Sequence, residues 1–225
     1  MYVQQEQGNL ILTRDLCSGR PNPEIMLPQE RGREACMKKI TIREITLTGI
    51  MAAAVYVSSA FLQIPIPTLA GSTRLHMGNV MCLLSGMLLG ALPGGLAAGI
   101  GSMFFDLTNP AYITSAPFTF VFKFTMAWLC GYIIGKTGRK RRTGFMAGAL
   151  SGAAAYVLLY LLKSFLEGRY VLGLPPEGVM LTLAQKGAAS GVNALIAVCV
   201  SVPLGLALHP AVAAMLHREA AERAG

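Results

Sequence analysis

Charge is scarce in this chain. Only 13% of its 225 residues are Asp, Glu, Lys or Arg, against roughly a quarter in an ordinary soluble domain. That deficit argues against a water-soluble helical protein. Cysteine is sparse as well. Cys17, Cys36, Cys82, Cys130 and Cys199 stand alone, and no CxxC pair or His/Cys spacing points to a metal. Cys82, Cys130 and Cys199 fall in apolar runs, where they behave as small hydrophobes. No GxxxxGK[ST] phosphate loop occurs, so any ATP hydrolysis belongs to a partner. No basic stretch followed by a short apolar one marks a secretory signal, no motif asks for a cofactor, and no internal repeat is evident.

What is abundant is apolar sequence, 53% of the chain, together with 25 glycines. The apolar residues gather in runs of about 17 to 25, the length that crosses a bilayer core. Glycine inside such runs lets membrane helices approach closely. The reading is an all-α integral membrane protein with six transmembrane helices and both termini cytoplasmic. Span 1 covers about Ile45 to Leu62 and stops at Gln63-Ile64-Pro65-Ile66-Pro67, since two nearby prolines cannot continue a helix. A loop through Gly71–Leu75 follows. Spans 2 and 3, about 14 residues each, share His76 to Leu107 and divide at Gly90-Ala91-Leu92-Pro93-Gly94-Gly95. Short membrane helices often flank a cavity. Spans 4, 5 and 6 cover about Ala116–Ile134, Phe145–Leu166 and Met180–Leu208, with a kink expected at Pro203.

The net charge of +8 lies in short loops and reads as topology rather than as a nucleic-acid surface. Lys136, Arg139, Lys140, Arg141 and Arg142 put the 4–5 loop in the cytoplasm. Counting spans from there places Lys38, Lys39, Arg43, Arg218 and Arg223 on the same side. Residues 1–36 are polar and contain Pro21, Pro23 and Pro28. They read as a disordered tail or a mis-assigned start region, with Met37-Lys38-Lys39-Ile40 as the expected native beginning. Residues 37–210 form the membrane domain and 211–225 a short cytoplasmic tail.

This topology fixes the depth of the polar residues. His76 and Asn79 sit at the outer end of span 2, and Asp106 at the outer end of span 3. Lys123 lies about seven residues into span 4, roughly 10 Å down at 1.5 Å per residue. Lys186 reaches a similar depth in span 6, with Asn193 two turns deeper. A lysine at such depth costs several kcal/mol unless paired or solvated. Two at matched depth point to an outward-opening polar pocket for an anionic or acceptor-rich ligand, with Arg74, His76, Asn79, Asp106 and Asn193 beside them. The alternative is that each lysine snorkels outward or pairs with Asp106. Trp128, Tyr156 and Tyr160 are candidates for stacking on a ring. Small residues recur every fourth position at Gly49, Ala53 and Val57 in span 1, and at Gly148, Gly152 and Tyr156 in span 5. Either row can pack within the chain or dock another membrane subunit.

Four blocks carry a family resemblance: Ile64-Pro-Ile-Pro67, Thr73-Arg-Leu-His-Met-Gly-Asn79, Leu89-Gly-Ala-Leu-Pro-Gly-Gly95 and Gly99-Ile-Gly-Ser-Met-Phe-Phe-Asp-Leu107. With Ala116-Pro-Phe-Thr-Phe-Val-Phe-Lys123 and the basic 4–5 loop, the stretch from Met37 to Leu208 resembles the substrate-binding S components of energy-coupling factor (ECF) transporters, and within them the riboflavin-type branch. The resemblance implies a six-helix subunit that captures a vitamin or precursor from outside and is no enzyme itself. It also implies partners, a transmembrane T subunit and two ABC-type ATPases. Gly49, Ala52, Ala53 and Ala54 stand where this family carries an alanine-rich docking face. Riboflavin, a thiamine-precursor pyrimidine, a B6 vitamer and other small heterocycles all remain open as ligands. A self-sufficient carrier or channel is the competing class; it would show paired broken helices. An intramembrane protease built on Ser190 and His209 fails because the two lie at different depths.

Overall fold

A computed structural model describes residues 42–68, 71–110, 112–137 and 142–222, without the side chains of 64–75, 213 and 216–222. The 1–36 segment, the Met37 start, Lys38, Lys39 and Arg139, Lys140 and Arg141 of the basic loop lie outside the described residues, as does Arg223.

Six helices run in chain order: α1 Ile42–Phe61, α2 Gly78–Leu89, α3 Ala91–Thr108, α4 Ala116–Thr137, α5 Arg142–Leu166 and α6 Pro176–Glu222. The stretches built on α1, α4, α5 and α6 are long and apolar enough to cross a membrane, and α2 is a shorter apolar helix. The expected six-helix membrane fold therefore holds, with two differences. The segment read as a loop after span 1 is an antiparallel hairpin, β1 Gln63–Thr68 against β2 Gly71–His76, in register from Gln63↔His76 to Thr68↔Gly71. Pro65 and Pro67 end the helix as expected, yet they are compatible with a strand. Prolines two apart turn their nitrogens to the same edge, and a two-stranded ribbon leaves each strand one open edge. The second difference is α6, which continues through Pro203 and Pro210 as far as Glu222.

Helix α2 is the axis of the bundle. It has only 12 residues, ten of them buried, and it touches every other helix. A helix that is apolar all round belongs inside a protein, and one that meets no lipid has no need to match the bilayer thickness. Its end is Gly90, at φ 92° and ψ −170°, a region that L side chains rarely adopt. The chain turns there into α3 with Pro93 in its first turn, where the missing N–H costs nothing. So the broad Gly/Pro break narrows to a single residue.

Close backbone approach packs the half of the bundle near the basic 4–5 loop. A Cβ on Gly131 of α4 would lie 2.5 Å from the Gly90 carbonyl carbon, and one on Gly152 of α5 2.5 Å from the Met126 carbonyl oxygen. A Cβ on Gly86 would collide with the Ala127 carbonyl. Leu83, Met87, Met126, Cys130, Ile134, Phe145 and Ala149 fill the spaces between. The Gly148/Gly152 row is thus spent on packing α5 against α4 within the chain. The α1 row differs. Gly49 has open space where a Cβ would go, Ala53 is exposed, and Val57 is 49% exposed.

Candidate functional site

At the other end, beside the hairpin, the same helices separate around a cavity of about 460 Å³. The volume suits a small organic ligand, for which pockets run from roughly 300 to 1,000 Å³. Each wall is a stripe at helical spacing. α3 contributes Ser102, Phe105 and Asp106; α4 contributes Phe118, Thr119, Phe122 and Lys123. α5 adds Tyr156, Tyr160, Lys163 and Ser164, and α6 adds Lys186, Ser190 and Asn193. Positions i, i+4 and i+7 share a helix face, so one polar stripe per helix suffices to line a common space.

Of the residues expected from sequence, His76, Asp106, Lys123, Lys186 and Asn193 all line this cavity. Asp106, Lys123, Lys186 and Asn193 are buried, at 1%, 2%, 5% and 6% exposure. They come from three helices, which explains why they are far apart in sequence. Asn79 is also buried but stands behind the wall. Its Oδ1 accepts a hydrogen bond from the Lys123 ammonium, and its Nδ2 has no hydrogen-bond partner among the described residues. Arg74 lies in β2, and its side chain is outside the described residues. Trp128 is not at the cavity; it stacks on Tyr132 on the outer face of α4.

Lys123 is held from two sides. Besides the bond to Asn79, its ammonium sits 4.2 Å from the centroid of the Tyr156 ring, within the range of a cation–π contact. Tyr156 stacks in turn on Tyr160, 6.0 Å between centroids at 11°. The two rings form a flat aromatic wall. Lys186 is different: among the described residues it makes no hydrogen bond or salt bridge, and the charges acting on it through space are Glu167 and Lys163. Ser164, which lines the same cavity, has a buried hydroxyl with no hydrogen-bond partner among the described residues.

The hairpin is tied to the rim. The His76 backbone N–H donates to Asn193 Oδ1 at 3.0 Å, and the Gly78 N–H donates to His76 Nδ1 at 3.1 Å. Neutral His76 therefore carries its proton on Nε2. At the far rim, Lys163 donates to Ser115 Oγ at 2.9 Å and pairs with Glu167 at 3.5 Å. Glu167 opens a single π-helical turn, Glu167–Val171, closed by the Leu172 N–H on the Glu167 carbonyl at 2.9 Å.

Reading by depth overlooked Ser164, Glu167, Ser190 and the phenylalanines of α4. Periodicity could have found the first three. Ser164 and Glu167 lie on the stripe of Tyr156 and Tyr160, and Ser190 lies on that of Lys186 and Asn193. Phe118 and Phe122 carry no such signal, since a membrane helix has phenylalanine on every face. Among the described residues, no three His, Cys, Asp or Glu side chains come together as metal ligands. The arrangement offers three ammonium groups (Lys123, Lys163 and Lys186), two carboxylates (Asp106 and Glu167), amide and hydroxyl partners and an aromatic wall. That set can bind a polar ring-containing molecule.

The family model described as ECF-type riboflavin transporter, S component, matches residues 39–210. A protein of Pyrococcus woesei, described as an uncharacterized protein in gap 3′ region, is 35% identical over 107 residues, covering 48% of this chain and 68% of that protein.

Proposed function

Because the chain belongs to the S-component family of ECF-type riboflavin transporters, whose members are transport-binding subunits in the membrane, we propose that it captures a vitamin-like heterocycle in the cavity beside the hairpin and passes it to an energising T subunit with two ATPases. The cavity faces the outside if the basic 4–5 loop is cytoplasmic, as the charge distribution requires. The observation that carries this reading is the composition of the cavity. Buried cations are expensive inside a membrane, and here Lys186 lies at a cavity wall without a hydrogen bond from the described residues. An acceptor-rich ligand supplies that bond. The stacked Tyr156 and Tyr160 rings supply a face for a planar ring, and edge polar groups then fix its orientation.

Docking of the energising module is assigned to the outward face of α1. Gly49 and Ala53 lie one turn apart on that face and are exposed. Ala52 is half-buried, and its backbone carbonyl lies where a Cβ on Gly101 of α3 would be. Ala54 is half-buried beside the row. A bulky residue at the outward row would hold a partner helix away. Reconstituted vesicles test the whole reading. The chain alone should bind ligand and accumulate none, and addition of T subunit, ATPases and ATP should start uptake. Ala53→Trp should keep binding and lose uptake. Accumulation by the chain alone would make it a self-sufficient carrier and overturn the proposal.

A further inference from the structure

The outer face of α4 carries a second feature, at the opposite end from the cavity. Trp128 and Tyr132 are 37% and 41% exposed. Their rings stack face to face, 5.3 Å between centroids at 9°. One turn further on, the Lys136 ammonium sits 4.8 Å from the centroid of Tyr132. Residues four apart share a helix face, so the three form a ladder. It rises about 12 Å along the helix at 1.5 Å per residue, from an aromatic rail to an exposed cation. Exposed phenylalanine or leucine on a membrane helix requires no explanation beyond lipid. A stacked Trp–Tyr pair leading to a lysine on its ring does, because it joins an amphipathic rail to a charge.

Among the described residues the charge has no salt-bridge partner. From Leu107 to Leu166 the sequence contains no Asp or Glu, while it contains Lys123, Lys136, Arg139, Lys140, Arg141, Arg142 and Lys163. Among the described residues neither Lys136 nor Arg142 makes a salt bridge. The neutralising anion must therefore come from outside this part of the chain. A free anion would make no use of the rail. An anionic phospholipid uses both parts: its phosphate meets Lys136, and its glycerol and upper acyl chains lie along Tyr132 and Trp128, the depth at which amphipathic rings settle in a bilayer.

We propose that the Trp128–Tyr132–Lys136 ladder is a binding site for an anionic phospholipid at the basic end of α4, separate from the ligand cavity. Positive-inside topology accounts for the sign of the loop charge. It does not account for a stacked ladder that positions one lysine on one helix face.

Trp128 is the chain's single tryptophan, so its fluorescence reports on this site alone. The test uses the full chain in liposomes of phosphatidylglycerol and phosphatidylcholine, with acyl-chain bromines placed on one lipid or the other. Brominated phosphatidylglycerol should quench Trp128 more strongly than brominated phosphatidylcholine at equal mole fraction, with an enrichment of about fivefold per surface cation engaged. Lys136→Gln should reduce the enrichment, Lys136→Arg should keep it, and ligand binding should be unchanged in both. Equal quenching by the two lipids in the wild-type chain overturns the proposal. So does a preference that survives Lys136→Gln combined with Arg142→Gln. Equal quenching together with loss of partner-subunit co-purification in Lys136→Gln would assign the ladder to a protein interface instead.

Discussion

The two ends of this bundle are built from the same helices by opposite rules. Near the basic loop, glycines bring backbones into contact and Leu83, Met87 and Phe145 close the gaps, each fully buried. Near the hairpin, the helices part around a space lined by buried Asp106, Lys123, Lys186 and Asn193. Helix α4 passes from one rule to the other within a turn: Met126 and Ala127 are core, and Lys123 belongs to the cavity wall. The contrast teaches how a membrane protein of this size can keep a polar cavity. Close packing without water gives each buried group many weak attractions, and it fixes the helix spacing. Under the proposed function, the cavity half tolerates lysines because polar neighbours and an incoming ligand satisfy them. Stability and recognition are thereby assigned to different ends.

Substitutions at the two ends should therefore have unequal effects on stability and binding. The largest effect is expected at the packed end. In Gly131→Val the new side chain meets the α2–α3 turn at Gly90, where backbone rather than a flexible side chain is in the way. Overpacking of this kind costs about 1–3 kcal/mol, and the backbone obstacle puts this substitution at the upper end. Thermal unfolding in detergent should show a large fall in melting temperature; a melting curve like wild type would mean that the packed end does not hold the fold.

Lys123 sits on the boundary, and its removal should affect both properties. Lys123→Ala leaves the buried Asn79 amide without its partner, a loss of about 1–3 kcal/mol of stability. It should also weaken ligand binding. Replacing both partners by apolar residues, Lys123→Met with Asn79→Leu, removes the stranded amide. The double variant should regain stability and still bind poorly. Recovery of binding together with stability would make Lys123 a purely structural residue.

The smallest effect is expected at the rim. Lys163 and Glu167 are partly exposed there, with side chains 21% and 39% exposed, and such pairs contribute roughly 0–1 kcal/mol. Lys163→Gln should change the melting temperature little. A large drop would show that the rim, not the packed end, carries stability.

Much of this was legible in the sequence. Apolar run lengths gave the helices, and the depth of Lys123, Lys186, Asp106 and Asn193 gave four of the cavity's polar groups, because an ionisable residue within a span has few places to go. The hairpin was not legible, since Pro65 and Pro67 signal a helix stop equally well before a loop or a ribbon. Nor was the direction of the small-residue rows. Gly49/Ala53 and Gly148/Gly152 have the same spacing, and only the fold turns the first outward and the second onto α4. Asn79 illustrates a third limit: depth put it at the outer end of span 2, and could not show that it reaches Lys123 instead of the cavity surface.

The central claim is that the hairpin end binds ligand by itself, without nucleotide or partner. Native mass spectrometry of the purified chain, followed by calorimetric titration with riboflavin and the other candidate vitamins, tests it most directly. One ligand per chain is expected. Lys186→Ala should weaken affinity by about 10- to 150-fold, the worth of one charge-assisted hydrogen bond, with an unchanged melting temperature. A folded wild-type chain that binds none of these molecules, or a Lys186→Ala chain that binds as tightly as wild type, would contradict that claim.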